Sequence, residues 1–292
     1  DLSISERESF ILPFAGIMIL YFERKIGMAE SSFITKVAFA CEKKEALYNS
    51  SKAKYAIRSM YAGAFLTLST AAGAIAADVI NKIVPGSGRL LFPFIFAWGL
   101  VYILFLNAEL TTSNMMYLTA GTFLKKIKFS KALVILLYCT FFNLVGAAII
   151  GWIFNQTVAY SGLTPDGFIG TVAANKLGRG NSTVLFEAIA ANIFVNIAIL
   201  AFLLIKSSTA KMWIVISAIY MFVFLTNEHL AANFASFSLI AFNKIANQVQ
   251  GFDVVNILRH FSITFIGNVI GGGLLIGLPY AWLNKNEETY VD

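Results

Sequence analysis

Charge is scarce in this chain of 292 residues. Asp, Glu, Lys and Arg together make up 13% of it, against about 25% in an ordinary soluble domain. Histidine and cysteine number two each. Two cysteines make no disulfide scaffold, and two histidines with two cysteines do not supply a zinc-finger set. The sequence calls for no metal and no cofactor. Its net charge of +6 is too thinly spread to line a nucleic-acid groove. No Asn-Pro occurs, which excludes the paired Asn-Pro-Ala turns of a water or glycerol channel. His-Glu-x-x-His is also missing, and Gly86-Ser87-Gly88 reads as a loop turn, so the chain is not read as an enzyme. What remains is apolar: 58% hydrophobic residues, with 27 Phe and 11 Tyr. That is too apolar for disorder and points to a polytopic membrane protein.

A spanning helix needs about 20 mostly apolar residues. Six segments qualify: Ser59–Ala77, Leu90–Leu124, Ala132–Pro165, Ala188–Ile205, Met212–Asn243 and Phe261–Asn284. Short loops join them, with turns at Pro85-Gly86 and Thr164-Pro165-Asp166-Gly167. Loop charge sets the orientation. With the N-terminus inside, the inner flanks hold Lys43, Lys44, Lys52, Lys54, Arg58, Lys125, Lys126, Lys128, Lys131, Lys206, Lys211 and Lys285. The outer loops hold Lys82, Arg89, Lys176, Arg179, Lys244 and Arg259. Twelve against six predicts cytoplasmic termini at the plasma membrane, with a short tail over 285–292, and accounts for the positive charge without nucleic acid.

The 28–57 stretch, with Phe33-Ile34-Thr35-Lys36-Val37-Ala38-Phe39-Ala40 ahead of Lys43 and Lys44, predicts an amphipathic helix at the inner face. A soluble cytoplasmic helix fits it equally. Phe10–Phe22 is thirteen residues, too short to span, and lacks the basic leader and small-residue cleavage site of a signal peptide. Met28-Ala29-Glu30-Ser31 has the form of a start, so residues 1–27 are read as a non-native, translated upstream extension.

Two segments are too long. Leu90–Leu124 has 35 residues; as a straight helix it would measure roughly 52 Å against a hydrocarbon core of about 30 Å. Met212–Asn243 has 32. Each carries charge in mid-run, Glu109 in one and Glu228-His229 in the other, so each is read as a helix broken near the membrane centre. Both breaks have the form Glu-x-x-x-x-Asn, Glu109 to Asn114 and Glu228 to Asn233. The following segments match as well, Asn143-Leu-Val-Gly146 with Asn268-Val-Ile-Gly271. Three spans per unit is odd, so the halves form an inverted 3+3 repeat, an arrangement that channels and transporters use. Freed backbone groups at a break cannot face lipid. Thr112, Ser113 and Asn233 stand where capping side chains would sit, and two half-helix N-termini meeting centrally would favour an anion.

In order along the chain, Ala62-Gly63-Ala64-Phe65, Ala108-Glu109-Leu110…Thr112…Asn114, Asn143-Leu-Val-Gly146, Lys176, Glu187-Ala188…Asn196, Glu228-His229…Ala232-Asn233 and Gly267-Asn268…Gly271-Gly272 resemble the formate–nitrite transporter family over roughly 29–284. The resemblance implies an all-α, aquaporin-like protomer assembling as a homopentamer in the lipid bilayer. It implies passage of small monovalent anions or their conjugate acids: formate, nitrite, lactate or hydrosulfide. It places Phe96 and Phe222 at an outer constriction and Leu100 and Leu110 at an inner one. His229 falls at the pore centre with Thr112 and Asn196 near it, and Lys176 in the outer approach. The family usually has Gly where Asn107 stands, Phe where Thr111 stands, and Gly-Phe where Thr226-Asn227 precede the Glu-His pair. These departures border the pore and bear on the substrate.

An ionisable residue inside a membrane is a functional candidate by default. His229 is read as the only membrane-embedded histidine, with His260 at a segment end. Glu109 and Glu228 are read as structural, accepting freed N–H groups of their own breaks, because a bare carboxylate in an anion path repels the substrate. A cation–proton antiporter using the two carboxylates is the alternative. Lys176, without the resemblance, is an ordinary solvated loop residue.

Overall fold

The computed structural model describes residues 32–285, all of whose regular elements are helical. The reading of residues 1–27 and that of the tail beyond Lys285 lie outside the described residues. In chain order the helices are α1 (Ser32–Ser50), α2 (Lys52–Ile83), α3 (Gly88–Phe105), α4 (Thr111–Phe123), α5 (Phe129–Phe154), α6 (Val158–Ser161), α7 (Phe168–Leu177), α8 (Asn181–Leu204), α9 (Ser208–Phe224), α10 (Leu230–Ala241), α11 (Val254–Asn268) and α12 (Leu278–Leu283). A π-helical stretch, Val269–Gly277, joins the last two into one rod.

Five of these runs are long and apolar enough to cross a membrane: α2, α3, α5, α8 and Val254–Leu283. The two over-long segments are broken. One divides into α3 and α4, the other into α9 and α10, with irregular backbone over 106–110 and 225–229. Each turn is made by a residue in the left-handed region, Asn107 at φ 56° and Thr226 at φ 59°. A β-branched residue is rarely found there, so Thr226 is held by its surroundings. Arg179 donates to its carbonyl at 2.8 Å and to its Oγ1 at 3.0 Å.

Some boundaries differ from the sequence expectation. The first spanning helix begins at Lys52 rather than Ser59, because Ser51 caps it by accepting from Lys54 N at 3.3 Å. The third ends at Phe154, short of Pro165. The last begins at Val254, which puts His260 seven residues into a helix and fully buried, not at a segment end. Within the 28–57 stretch α1 spans Ser32–Ser50, and its inward side packs on protein. Phe33, Ile34, Val37, Cys41, Lys44 and Tyr48 are buried, and Lys36 Nζ donates to the carbonyl of Leu203.

Helices cross closely where glycine allows it. A Cβ at Gly146 of α5 would overlap the backbone carbonyl of Met60 on α2, and one at Gly271 would overlap that of Ile189 on α8. These crossings fix the distance between the helices that carry the next section's asparagines. Gly162, in a loop, has nothing near its missing Cβ. Gly146→Ala and Gly271→Ala should each destabilise the protein by about 1–3 kcal/mol, the cost of overpacking, with Gly162→Ala close to neutral. Thermal unfolding in detergent measures this, and equal melting for all three would contradict the packing described.

Candidate functional site: a pore centre between two broken helices

A broken helix exposes backbone groups that need internal partners. The same asparagine arrangement meets that need twice. Asn143 of α5 accepts from Thr111 N at 2.9 Å and donates from Nδ2 to Ser59 O at 2.8 Å and Glu109 O at 2.9 Å. Asn268 of α11 accepts from Leu230 N at 2.9 Å and donates to Ala188 O at 2.7 Å and Glu228 O at 3.0 Å. One amide therefore satisfies an N–H and a carbonyl where each break enters its second half-helix, and ties that point to a neighbouring helix. This corrects the capping expectation. Thr112, Ser113 and Asn233 do not cap. Ser113 Oγ turns back to Leu110 O at 2.9 Å, and Asn233 Nδ2 donates to Glu228 Oε2 at 2.9 Å. The amides that take the first N–H of each half-helix stand on other helices, out of reach of local pattern.

The carboxylates are structural in a different way from that expected. They take side-chain cations and amides, not their own backbone. Glu109 accepts from Lys44 Nζ at 2.5 Å, and from Tyr55 Oη and Asn114 Nδ2, both at 3.3 Å. Glu228 is fully buried. Its Oε2 faces Lys176 Nζ at 2.7 Å and its Oε1 faces Arg179 NH1 at 2.6 Å. Arg179 also holds Glu187 at 2.5 Å. Lys176 is thus no solvated loop residue. It sits near the end of α7, about nine-tenths buried, with its charge already engaged.

The two halves differ at the residue after each glutamate, Leu110 in the first and His229 in the second. His229 is the N-cap of α10, and its Nδ1 accepts from Ala232 N at 3.2 Å. That bond keeps Nδ1 unprotonated in the neutral ring and puts the hydrogen on Nε2. Nε2 lies 2.7 Å from Thr112 Oγ1, so the N-terminal turns of α4 and α10 meet at this pair. Asn196 Nδ2 is 3.5 Å from Thr112 O. Asn192, which the sequence reading missed, donates to Thr112 O at 3.3 Å and Asn268 O at 2.7 Å. Gly272 makes room for both amides, since a Cβ there would overlap them.

His229 is flanked by aromatic rings. The ring centroids of Phe222 and His229 are 5.5 Å apart, and those of Phe96 and Phe222 are 6.2 Å apart, edge to face. Phe96 and Phe222 line a cavity of about 850 Å³ whose walls also include Lys82, Arg89, Lys176, Arg179, Asp78 and Asp166. Leu100, one turn beyond Phe96, and Leu110 are buried in the same apolar cluster. The structure therefore joins Phe96, Phe222, His229 and Thr112 in one chain of contacts, sets Asn196 beside Thr112, and turns Lys176 toward Glu228.

A buried ion that loses its partner costs about 3–5 kcal/mol. Lys44→Met should destabilise by that order, and Glu109→Gln in the same chain should restore most of it. Lys176→Met should cost less, because Arg179 remains on Glu228. Melting temperatures of the three variants decide this, and a larger loss for Lys176→Met would reverse the assignment of partners.

A sequence model described as Formate/nitrite transporter matches residues 31–282. A formate channel of Bacillus thuringiensis is 30% identical over 192 residues, covering 64% of this chain and 70% of that protein. A solved structure titled FNT family ion channel superposes with a TM-score of 0.77 at 22% identity, covering 85% of this chain and 97% of that one. A pentameric formate channel with formate bound superposes with a TM-score of 0.66, also at 22% identity, over 80% of this chain and 97% of that one. The structural likenesses show the shared fold. The family match runs through both helix breaks, both asparagine ties and the His229–Thr112 pair, and the chain belongs to the formate/nitrite transporter family, as a multi-pass membrane protein.

Proposed function

We propose that this chain passes small monovalent anions of the formate type across the plasma membrane, with a proton, through a pore in each protomer of a homopentamer. The protomer is read as six spans with both termini cytoplasmic, so that the 850 Å³ cavity is the outer vestibule. The single observation that carries the reading is the His229–Thr112 contact at 2.7 Å, where two half-helix N-terminal turns meet beneath a pair of phenylalanines. Relatives and solved structures named as formate channels support the substrate class.

The physics requires a way past the apolar constriction. Moving a bare carboxylate-sized anion into a low-dielectric region costs of order 20 kcal/mol on an idealised Born estimate. A neutral acid avoids most of that. Cations lining the vestibule raise the local anion concentration. The anion meets helix N-termini that favour negative charge and the Nε2–H of His229. A proton taken up at Nδ1 while the Nε2 proton passes to the anion leaves a neutral acid and the Nδ1–H tautomer, and the ring returns to rest by losing the Nδ1 proton and regaining one at Nε2. Protonation of Nδ1 would cost the ring its bond from Ala232 N, so the charge of His229 is coupled to the cap of α10. The antiporter alternative finds little support, since Glu109 and Glu228 are both engaged by buried cations.

Proteoliposome flux tests this with formate, nitrite, lactate and hydrosulfide at two pH values. His229→Phe should fold yet lose most anion flux. His229→Asn should keep some conduction and lose the pH dependence of maximal rate. Wild-type flux with wild-type pH dependence in His229→Asn would remove the proton-relay step. Phe222→Ala should raise the flux of lactate relative to formate, by about tenfold if the ring contributes about 1.4 kcal/mol of discrimination. An unchanged ratio in a well-folded variant would place Phe222 outside the pore.

A further inference from the structure

His260 is used by none of the steps above, yet it is completely buried beside the charged cluster of the vestibule. Its Nε2 lies 3.3 Å from Glu228 Oε2, an ion pair once the ring is protonated, and makes no hydrogen bond among the described residues. Its Nδ1 is 3.5 Å from Thr264 Oγ1 on its own helix, and its ring packs on Phe237 of α10. Glu228 Oε2 also takes Lys176 Nζ at 2.7 Å and Asn233 Nδ2 at 2.9 Å. With the hydrogen of the neutral ring on Nδ1, toward Thr264 Oγ1, the bare Nε2 at the edge of a shared carboxylate oxygen gains a bond when it gains a proton.

The charges facing that point can be followed element by element. The second break contributes Glu228, α7 contributes Lys176, the loop after α7 contributes Arg179, and α8 contributes Glu187 bound to Arg179. Arg259 on α11 itself turns away, donating to the carbonyls of Leu177 and Arg179 and to Asn181 Oδ1. With a neutral His260, the two cations, Lys176 and Arg179, balance the two carboxylates, Glu187 and Glu228. Proton uptake by His260 leaves the cluster one unit positive, and Lys176 and Arg179 line the vestibule.

We propose that His260 is a proton-responsive positioning residue that sets how strongly the vestibule attracts the anion. When the ring is neutral, Glu228 Oε2 holds the Lys176 ammonium. When the ring is protonated, Nε2–H competes for Oε2, and the charge of Lys176 is released toward the vestibule. No bond to the substrate is made by His260, and its action reaches the anion through Lys176. Acidifying the vestibule side therefore strengthens anion capture just where more of the substrate is about to be protonated. This device is distinct from His229. It acts on entry affinity, whereas His229 acts on the proton step beyond the phenylalanines.

The inference rests on the transport reading, and formate flux in proteoliposomes separates the two. On acidification of the vestibule side from about pH 8 to about pH 5, the KM for formate should fall about threefold or more, about 0.65 kcal/mol at 1.4 kcal/mol per tenfold. His260→Asn and His260→Gln keep a polar group and cannot titrate, and in both the KM profile should flatten. The pH dependence of maximal rate should persist in both. In wild type, the ¹⁵N signals of His260, assigned by their loss in His260→Asn, should titrate in the same pH window. A KM independent of pH in wild type, an unaltered KM profile in either variant, or an imidazole whose signals do not titrate would each overturn the proposal while leaving transport intact. Absence of formate flux in wild type would instead overturn the transport reading, and this inference with it.

Discussion

A helix interrupted inside a membrane leaves N–H and C=O groups that lipid cannot satisfy, and the rest of this structure depends on how those groups are satisfied. The answer is the same on both sides. An asparagine from the next spanning helix, Asn143 or Asn268, uses its amide oxygen for the first N–H of the second half-helix and its amide nitrogen for a carbonyl within the break. Its second donated bond, to Ser59 O or Ala188 O, pins a third helix to the same point. Such a tie works only if three helices approach closely, which is what Gly146 and Gly271 permit. Glycine placement and amide geometry are therefore one constraint, not two.

The buried carboxylates follow from the same need. A glutamate beside each break adds negative charge in a low-dielectric region, which requires a partner. In one half the partner is Lys44, brought in by α1, and in the other it is Lys176 with Arg179, brought in by α7 and the loop after it. These peripheral helices look like attachments to the bundle, but each delivers a cation that a break requires. The two halves then diverge where function needs asymmetry. Leu110 stands where the second half has His229, so a near-symmetric scaffold presents a single imidazole where the two breaks meet.

That divergence makes sense of the local strain. Asn107 and Thr226 hold the left-handed turns of the breaks, positions where glycine would cost least. Arg58 and Arg179 secure the two turns through their carbonyls, at 2.9 and 2.8 Å. Arg179 therefore stabilises the backbone of the break, neutralises Glu228 and borders the vestibule at once. A substitution there would be felt in all three roles.

The sequence alone determined the membrane class, the two breaks and the repeat, because each rests on local and additive properties. Run length against bilayer thickness, charge in mid-run, and the recurrence of Glu-x-x-x-x-Asn need no knowledge of contacts. It also singled out His229, because an ionisable group in an apolar run is costly wherever it points. Only the tertiary structure decided what each polar group touches. Lys44 and Glu109 are 65 residues apart, Lys176 and Glu228 are 52 apart, and Asn268 reaches Leu230 across 38. No periodicity encodes such pairings. For that reason Thr112 and Asn233 looked like caps, Lys176 looked solvated and His260 looked peripheral, until packing turned Thr112 to His229, Asn233 and Lys176 to Glu228, and His260 into the core beside that same carboxylate.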